Sequence, residues 1–210
     1  MVCGYAVAPG ALEEISGVGY DRPMTKATQE TTLILAKPDA LQRGLIGEIV
    51  RRFEMKGYQL VALKMTKASQ GHVRKHYLPT KEQLEGMGNK TLENFKKHAI
   101  DPVKEMGSAH PMEIGKIINE WNVDFLSSGP VVAMVFRGLH AVEIGRKIVG
   151  STIPANADMG TIRGDYSSDS PLVANKEKRT IYNLVHASGS VEEAQREIKH
   201  WFAPKELHDY

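Results

Sequence analysis

Four short apolar, β-prone runs alternate with helical runs along this chain, and that alternation narrows the fold more than any other feature. The first run, Thr31-Thr32-Leu33-Ile34-Leu35-Ala36, halts at Lys37-Pro38-Asp39 because proline cannot continue a ladder. Ile46, Ile49, Val50 and Phe53 then recur at helical spacing, closed near Gly57. Residues 58–65 read as a second strand and residues 70–77 as a short helix. A polar, helix-prone stretch follows, broken by Gly86, Gly88, Pro102, Gly107 and Pro111, before Ile114, Ile117, Ile118, Trp121 and Phe125 mark one face of a helix. Val131-Val132-Ala133-Met134-Val135 is apolar at every position, as in a strand buried on both faces. Ala141, Ile144, Gly145 and Ile148 mark another helix. Residues 151–178 carry no period, and a loop of that length inside a compact domain tends to be functional. Residues 180–186 read as the fourth strand, and Val191, Ala194, Ile198, Trp201 and Phe202 as the last helix. The class is α/β or α+β; periodicity alone does not order the strands.

The 210 residues, 41% hydrophobic and 25% charged, suit one globular domain with appended material. Residues 1–28, rich in Gly and Ala and without a period, read as a non-catalytic extension, which leaves 29–210 as the domain. A net charge of +2 leaves no footprint of a dedicated nucleic-acid binder. No run reaches the roughly 18 apolar residues of a membrane span, and no secretory signal opens the chain. The single Cys3 fits a reducing compartment. A soluble, cytoplasmic protein is the expectation.

His186 ends the fourth strand, and Ser190-Val191-Glu192-Glu193 has the form of a capping box that starts a helix. An imidazole between a strand end and a helix N-terminus sits where phosphate is electrostatically welcome, and near pH 7 it is neutral enough to be a nucleophile. Glu197, on the edge of the last helix's apolar stripe, needs a partner if it is even partly buried, and an imidazole N–H is a good one. Taken singly, each candidate has a plainer reading. Lys37 reads as a solvated lysine, Arg163 as an exposed turn residue, Arg146 as a snorkelling surface cation, and Thr152 as a turn hydroxyl. Glu197 then pairs with a surface cation and Tyr77 is a core aromatic. His72 and His76, at i and i+4, read as a solvated pair because no third metal ligand is evident. Trp121 and Trp201 read as core.

Taken together, Ala36-Lys37-Pro38-Asp39-Ala40 with Gln42-Arg43-Gly44, then Ser128-Gly129-Pro130-Val131-Val132-Ala133-Met134-Val135, Gly150-Ser151-Thr152-Ile153-Pro154, Gly160-Thr161-Ile162-Arg163-Gly164-Asp165-Tyr166 and Asn183-Leu184-Val185-His186-Ala187-Ser188 closely resemble the nucleoside diphosphate kinase family. The resemblance implies an α+β, ferredoxin-like sandwich with a four-stranded antiparallel sheet. It implies transfer of the γ-phosphoryl group of ATP to nucleoside diphosphates through phosphohistidine, with Mg²⁺. His186 matches the nucleophile, Tyr77 and Ser188 its neighbours, and Glu197 the carboxylate that orients it. Lys37, Arg146, Thr152 and Arg163 match the phosphate-holding groups, and Lys37 and Asn183 the ribose contacts. No Walker A loop is present, so side chains must hold the phosphates. The C-terminal segment 201–210 resembles the subunit contact of hexameric members, so a ring-forming homo-oligomer, a hexamer, is expected.

Strict alternation puts residues 183 and 186 on opposite strand faces. Both can line one site only through a bulge or a late strand start between them. The chain departs from the family in a helical insertion at about 79–113, where the base-stacking segment belongs, with Met87, Leu92 and Phe95 as candidates to replace it. A shorter insertion lies near 167–178. Gly189 and Pro79 stand at acidic positions that serve the water shell of Mg²⁺. A nucleotide-sensing or protein-interaction module with vestigial catalysis is the alternative, and relay of the phosphoryl group to a protein is a third activity the sequence leaves open.

Overall fold

The structure, a computed structural model, describes residues 29–210, so the expected extension lies outside the described residues. Strands β1 (Gln29–Ala36), β2 (Gln59–Thr66), β3 (Val131–Leu139) and β4 (Val185–Ala187) form one sheet in the order β2-β3-β1-β4, antiparallel throughout. β1 and β3 pair from Gln29 opposite Leu139 to Ala36 opposite Val132. Their near-continuous apolar character follows from burial on both faces.

Period-two alternation divides β1 between two cores. Leu33 and Leu35 pack with Val73, Val123, Leu126, Ile198 and Trp201, which come from α3 (Gln70–His76), α6 (Pro111–Ser128) and α10 (Val191–Trp201). Ile34 and Ala36 face Ala40 of α1 (Pro38–Gln42), Phe53 of α2 (Ile46–Met55), Val149 of α7 (Ala141–Val149) and Ile162 of α8 (Ile162–Tyr166). Phe53 stacks on Phe136 at 4.5 Å between ring centroids. The result is the ferredoxin-like α+β sandwich that the resemblance implied.

The fourth strand is shorter than the run 180–186 suggests. Leu184 adopts φ +66°, and its N–H goes to the Asp39 Oδ2 (2.9 Å) instead of the ladder. Pairing with β1 therefore begins only at Val185. This is the late strand start that a shared site for Asn183 and His186 requires. Residues 151–178 are not irregular throughout: they hold a 3₁₀ turn at Pro154–Asn156, α8, and α9 (Pro171–Lys176). One or two turns are too short to show a hydrophobic period.

Between α3 and α6 lie α4 (Lys81–Lys97) and α5 (Pro102–Met106). A Thr80–Gln83 capping box starts α4, and the Asp101 carboxylate caps α5. These helices have a core of their own, in which Phe95, Met106 and Ile114 are buried with Leu92, Ile117 and Trp121 against them. Leu92 and Phe95 are thereby committed to packing and are corrected as base-stacking candidates. The α4–α6 contact is close: a Cβ on Gly88 would overlap the Pro111 carbonyl, and one on Gly115 the Leu84 carbonyl. Trp201 and Phe202 are buried in the subunit's own core, so only the residues beyond them are free to meet a neighbour.

Candidate active site

The nucleophile's position is set by register. His186 lies opposite Leu35 in the β1–β4 pair, so its ring emerges on the face covered by α3 and α10. Its side chain is 16% exposed, and it lines two adjoining cavities of about 900 and 1090 Å³. Nε2 lies 2.9 Å from Oε1 of Glu197, which is fully buried. A carboxylate accepts, so Nε2 carries the proton and Nδ1 keeps its lone pair. Burial first, then the cations Lys37, Arg163 and Arg146, hold the His186 pKa down to about 3, so the ring is neutral near pH 7.

Glu197 serves more than one partner. Its Oε2 accepts a hydrogen bond from the Ser188 hydroxyl at 2.6 Å, and that hydroxyl oxygen accepts from the Leu33 N–H at 3.2 Å. Burial pushes the Glu197 pKa up. The Tyr77 ring stands edge-on to His186 at 6.3 Å, its phenol pKa raised by burial and Glu197.

His76 corrects the solvated-pair reading. It is buried, edge-on to the His186 ring at 4.5 Å, with Nδ1 accepting from the Trp201 indole N–H (3.3 Å) and lying 3.5 Å from Glu197 Oε1. Burial and His186 hold it well below its ordinary pKa. In the sequence its one signal is the i, i+3 spacing to Val73, a core residue of the same helix. His72 is half-buried and stacks on His200 at 3.9 Å.

The cations gather at the other end of the site. Lys37, at the end of β1 and buried, donates from Nζ to the Asn183 Oδ1 (2.8 Å), and burial with Arg163 lowers its pKa to about 8. The Asn183 amide NH₂ donates to the Thr152 carbonyl at 2.9 Å. Arg163, 7% exposed, donates to the carbonyls of Asn183, Gly150 and Val185 and so braces the turn that releases β4. Two of its five N–H groups remain for a ligand. Arg146 and Thr152 are exposed in the cavity lining, and Arg146 pairs with no carboxylate among the described residues. Eight of the nine expected residues line the two cavities, and Ser188 joins them through Glu197.

Besides His76, two contributors lie outside the expected set. Asp39 holds Leu184 in place, and its only sequence signal was its position after Lys37-Pro38. Glu193 completes half of the expected capping box: the Ser190 hydroxyl accepts its N–H, but its own carboxylate takes the Gly189 N–H at 2.8 Å. A Cβ on Gly189 would meet Glu193 Oε2 at 2.5 Å and lie 3.8 Å from Arg146 Nη1. Glu193 therefore fills the space of the acidic side chain missing at 189.

Among the described residues, the one close grouping of metal-type ligands is His76, His186 and Glu197. It is buried and rich in nitrogen, unlike the oxygen sets that hold magnesium. Two carboxylates line the larger cavity, Glu93 and Glu193, and Glu193 is the one beside Arg146. That fits an ion held chiefly by substrate phosphates and water, with one carboxylate reached through a water.

The family model described as nucleoside diphosphate kinase matches residues 30–99 and 104–207. A nucleoside diphosphate kinase of Pyrobaculum aerophilum is 49% identical over 178 residues, 85% of this chain and 97% of the relative. Nucleoside diphosphate kinase B of Mus musculus is 39% identical over 184 residues, 88% of this chain and 93% of the relative. A crystal structure of an NDP kinase from Pyrobaculum aerophilum superposes with a TM-score of 0.84 at 48% identity, covering 86% of this chain and all of that one. A nucleoside-diphosphate kinase from Borrelia burgdorferi, solved as a transition-state mimic with vanadate and ADP, gives 0.70 at 33% identity, covering 88% of this chain and 93% of its own. With a family model across nearly all the described residues and relatives aligned over most of their length, this chain, an enzyme of the phosphotransferase class, belongs to the nucleoside diphosphate kinase family.

Proposed function

We propose that the enzyme moves the γ-phosphoryl group of ATP to nucleoside diphosphates by a ping-pong route through phospho-His186. One observation carries the reading: a buried carboxylate holds Nε2 of a neutral histidine and leaves Nδ1 toward a cavity edged by Lys37, Arg146 and Arg163. The Nδ1 lone pair attacks the γ-phosphorus. As the new N–P bond forms, the bond to the β,γ-bridging oxygen breaks and its electrons leave with the diphosphate. The acceptor's terminal phosphate oxygen then attacks the same phosphorus and returns the electron pair to Nδ1. Glu197 fixes the tautomer and stabilises the positive charge that develops on the ring. Ser188 orients that carboxylate. Lys37, Arg146, Arg163 and the Thr152 hydroxyl neutralise oxygens of the transferring group, while Asn183 and Lys37 hold the ribose.

Magnesium bound with the nucleotide would supply positive charge to the phosphates, and Glu193 would hold its water shell. The working state is a homo-oligomer, a hexamer, in the cytoplasm. Exposed Leu63 and Met65 on the sheet's edge strand β2 support assembly.

The test is incubation with γ-labelled ATP and Mg²⁺ without acceptor, beside His186→Ala, followed by alkaline quenching. Acid-labile label that is absent in the mutant and chases onto GDP, CDP or UDP is the expected result. Label that will not chase points to relay onto a protein. No label despite ATP binding leaves a nucleotide-binding module.

A further inference from the structure

The trio His76, His186 and Glu197 holds a contact that phosphoryl transfer does not use. Its three ligand atoms come from α3, β4 and α10 and lie within 4.8 Å of one another. Glu197 Oε1 is the shared point, 2.9 Å from His186 Nε2 and 3.5 Å from His76 Nδ1. The first contact carries a proton. The second does not, because Nδ1 of His76 accepts from the Trp201 indole N–H, so its lone pair faces a carboxylate oxygen with no donor between them. Both side chains are fully buried, so the repulsion is poorly screened. A cation among the three atoms turns that repulsion into attraction.

Two histidines and a glutamate form a recurrent zinc set, with water in the fourth tetrahedral place. Ligand atoms of such an ion stand roughly 3.3–3.5 Å apart, close to the two spacings at Oε1. All three residues line the smaller cavity, and His186 is 16% exposed, so an ion enters past the imidazole and a cavity water completes its shell. The other close histidine pair, His72 and His200, stacks ring on ring at 3.9 Å, and lone pairs in stacked planes do not converge.

We propose that Zn²⁺ binds His76 Nδ1, His186 Nε2 and Glu197 Oε1 and holds the enzyme in its unphosphorylated form. A neutral imidazole has one proton. When the ion takes the Nε2 lone pair, that proton passes through water to Nδ1 and covers the lone pair that attacks phosphorus. No proton is gained or lost overall. Phosphorylation acts in the opposite sense. With phosphorus on Nδ1, Glu197 keeps the proton on Nε2, which then has no lone pair for a metal. Each state excludes the other, so the ion and the phosphoryl group compete by linkage. The inhibition rests on the phospho-His186 reading and deepens it, whereas the metal site stands without it.

Cobalt(II), whose tetrahedral complexes absorb strongly in the visible, is the probe. It is titrated into the unphosphorylated enzyme, the phosphoenzyme freed of nucleotide and Mg²⁺, His76→Phe and His72→Gln. The unphosphorylated enzyme and His72→Gln are expected to take one tetrahedral ion per chain, displaced by Zn²⁺. His76→Phe keeps a ring in the core but loses the ligand, and should bind at least about tenfold more weakly. The phosphoenzyme is expected to show no tetrahedral spectrum, and as the wild-type chain it raises no question of folding. Zn²⁺ added with excess MgATP should block acid-labile labelling of His186 until a chelator restores it. Equal cobalt affinity in the wild type and His76→Phe, a tetrahedral spectrum in the phosphoenzyme, or labelling untouched by Zn²⁺ overturns the proposal. A tetrahedral spectrum lost in His76→Phe, from a chain that ATP never labels, keeps the metal site and sinks the kinase reading. Label without that spectrum does the reverse.

Discussion

Leu184 holds a left-handed conformation that costs a branched residue about 1–2 kcal/mol, yet it is 1% exposed in the core. Truncating a buried leucine costs about 2–5 kcal/mol, so packing wins. Leu184→Gly should lower stability in urea unfolding by about 1–3 kcal/mol even though it relieves the backbone. Asp39→Ala should cost about 1–3 kcal/mol because it orphans the buried Leu184 N–H. It should also lower kcat/KM, since the turn it frees places Asn183 and His186. The two depressed pKa values give a pH profile. His186 gains its proton only near pH 3, so it contributes no loss of activity between pH 8 and 6. Lys37 is charged below about pH 8 and loses its charge as pH rises through that value. kcat/KM for ATP should therefore fall on the alkaline side, and Lys37→Arg should flatten that limb. At this scale the sequence and its family likeness made His186, Glu197 and the cations legible. His76, Asp39 and Glu193 stayed hidden because their roles depend on which helix or turn packs beside them, and spacing along one helix carries no such information.

The hydrophobic patterns of β1, β3, α7 and α10 were readable because each buries a stripe long enough to show its period. β4 misled at its start, where a carboxylate from α1 overrides the β-propensity of residues 180–184. Residues 81–106 were readable as helix-prone but not as a wall of the active site. Their inner face packs on α6 and their outer face lines a polar cavity, so neither stripe is strongly apolar. Glycine substitutions separate those two faces. Gly88→Ala drives a Cβ into the Pro111 carbonyl and should lower stability by about 1–3 kcal/mol, visible as a lower Tm and weaker nucleotide binding. Gly86→Ala meets nothing within 4 Å in the same helix and should raise stability by about 0.5–1 kcal/mol.

At the scale of the molecule, the edge strand β2 is where the proposed assembly can be tested. The C-terminal segment lies on β2, where the His208 N–H reaches the Val61 carbonyl at 2.9 Å and the Tyr210 hydroxyl the Leu60 carbonyl at 2.9 Å. Leu63 and Met65 beyond it stay 49% and 65% exposed. Leu63→Lys with Met65→Lys should shift the mass in light scattering from a multiple of the 23.2 kDa chain toward a single copy, without altering acid-labile labelling of His186.

The small core of Phe95, Met106 and Ile114 has a consequence for how such an enzyme diversifies. The reacting histidine and its cations are anchored to the sheet, whereas the wall facing them is stabilised by residues that the sheet does not share. Substitutions on the cavity-facing stripe of α4 leave the sheet's own cores untouched, so that wall is free to drift while the groups opposite it are inherited intact.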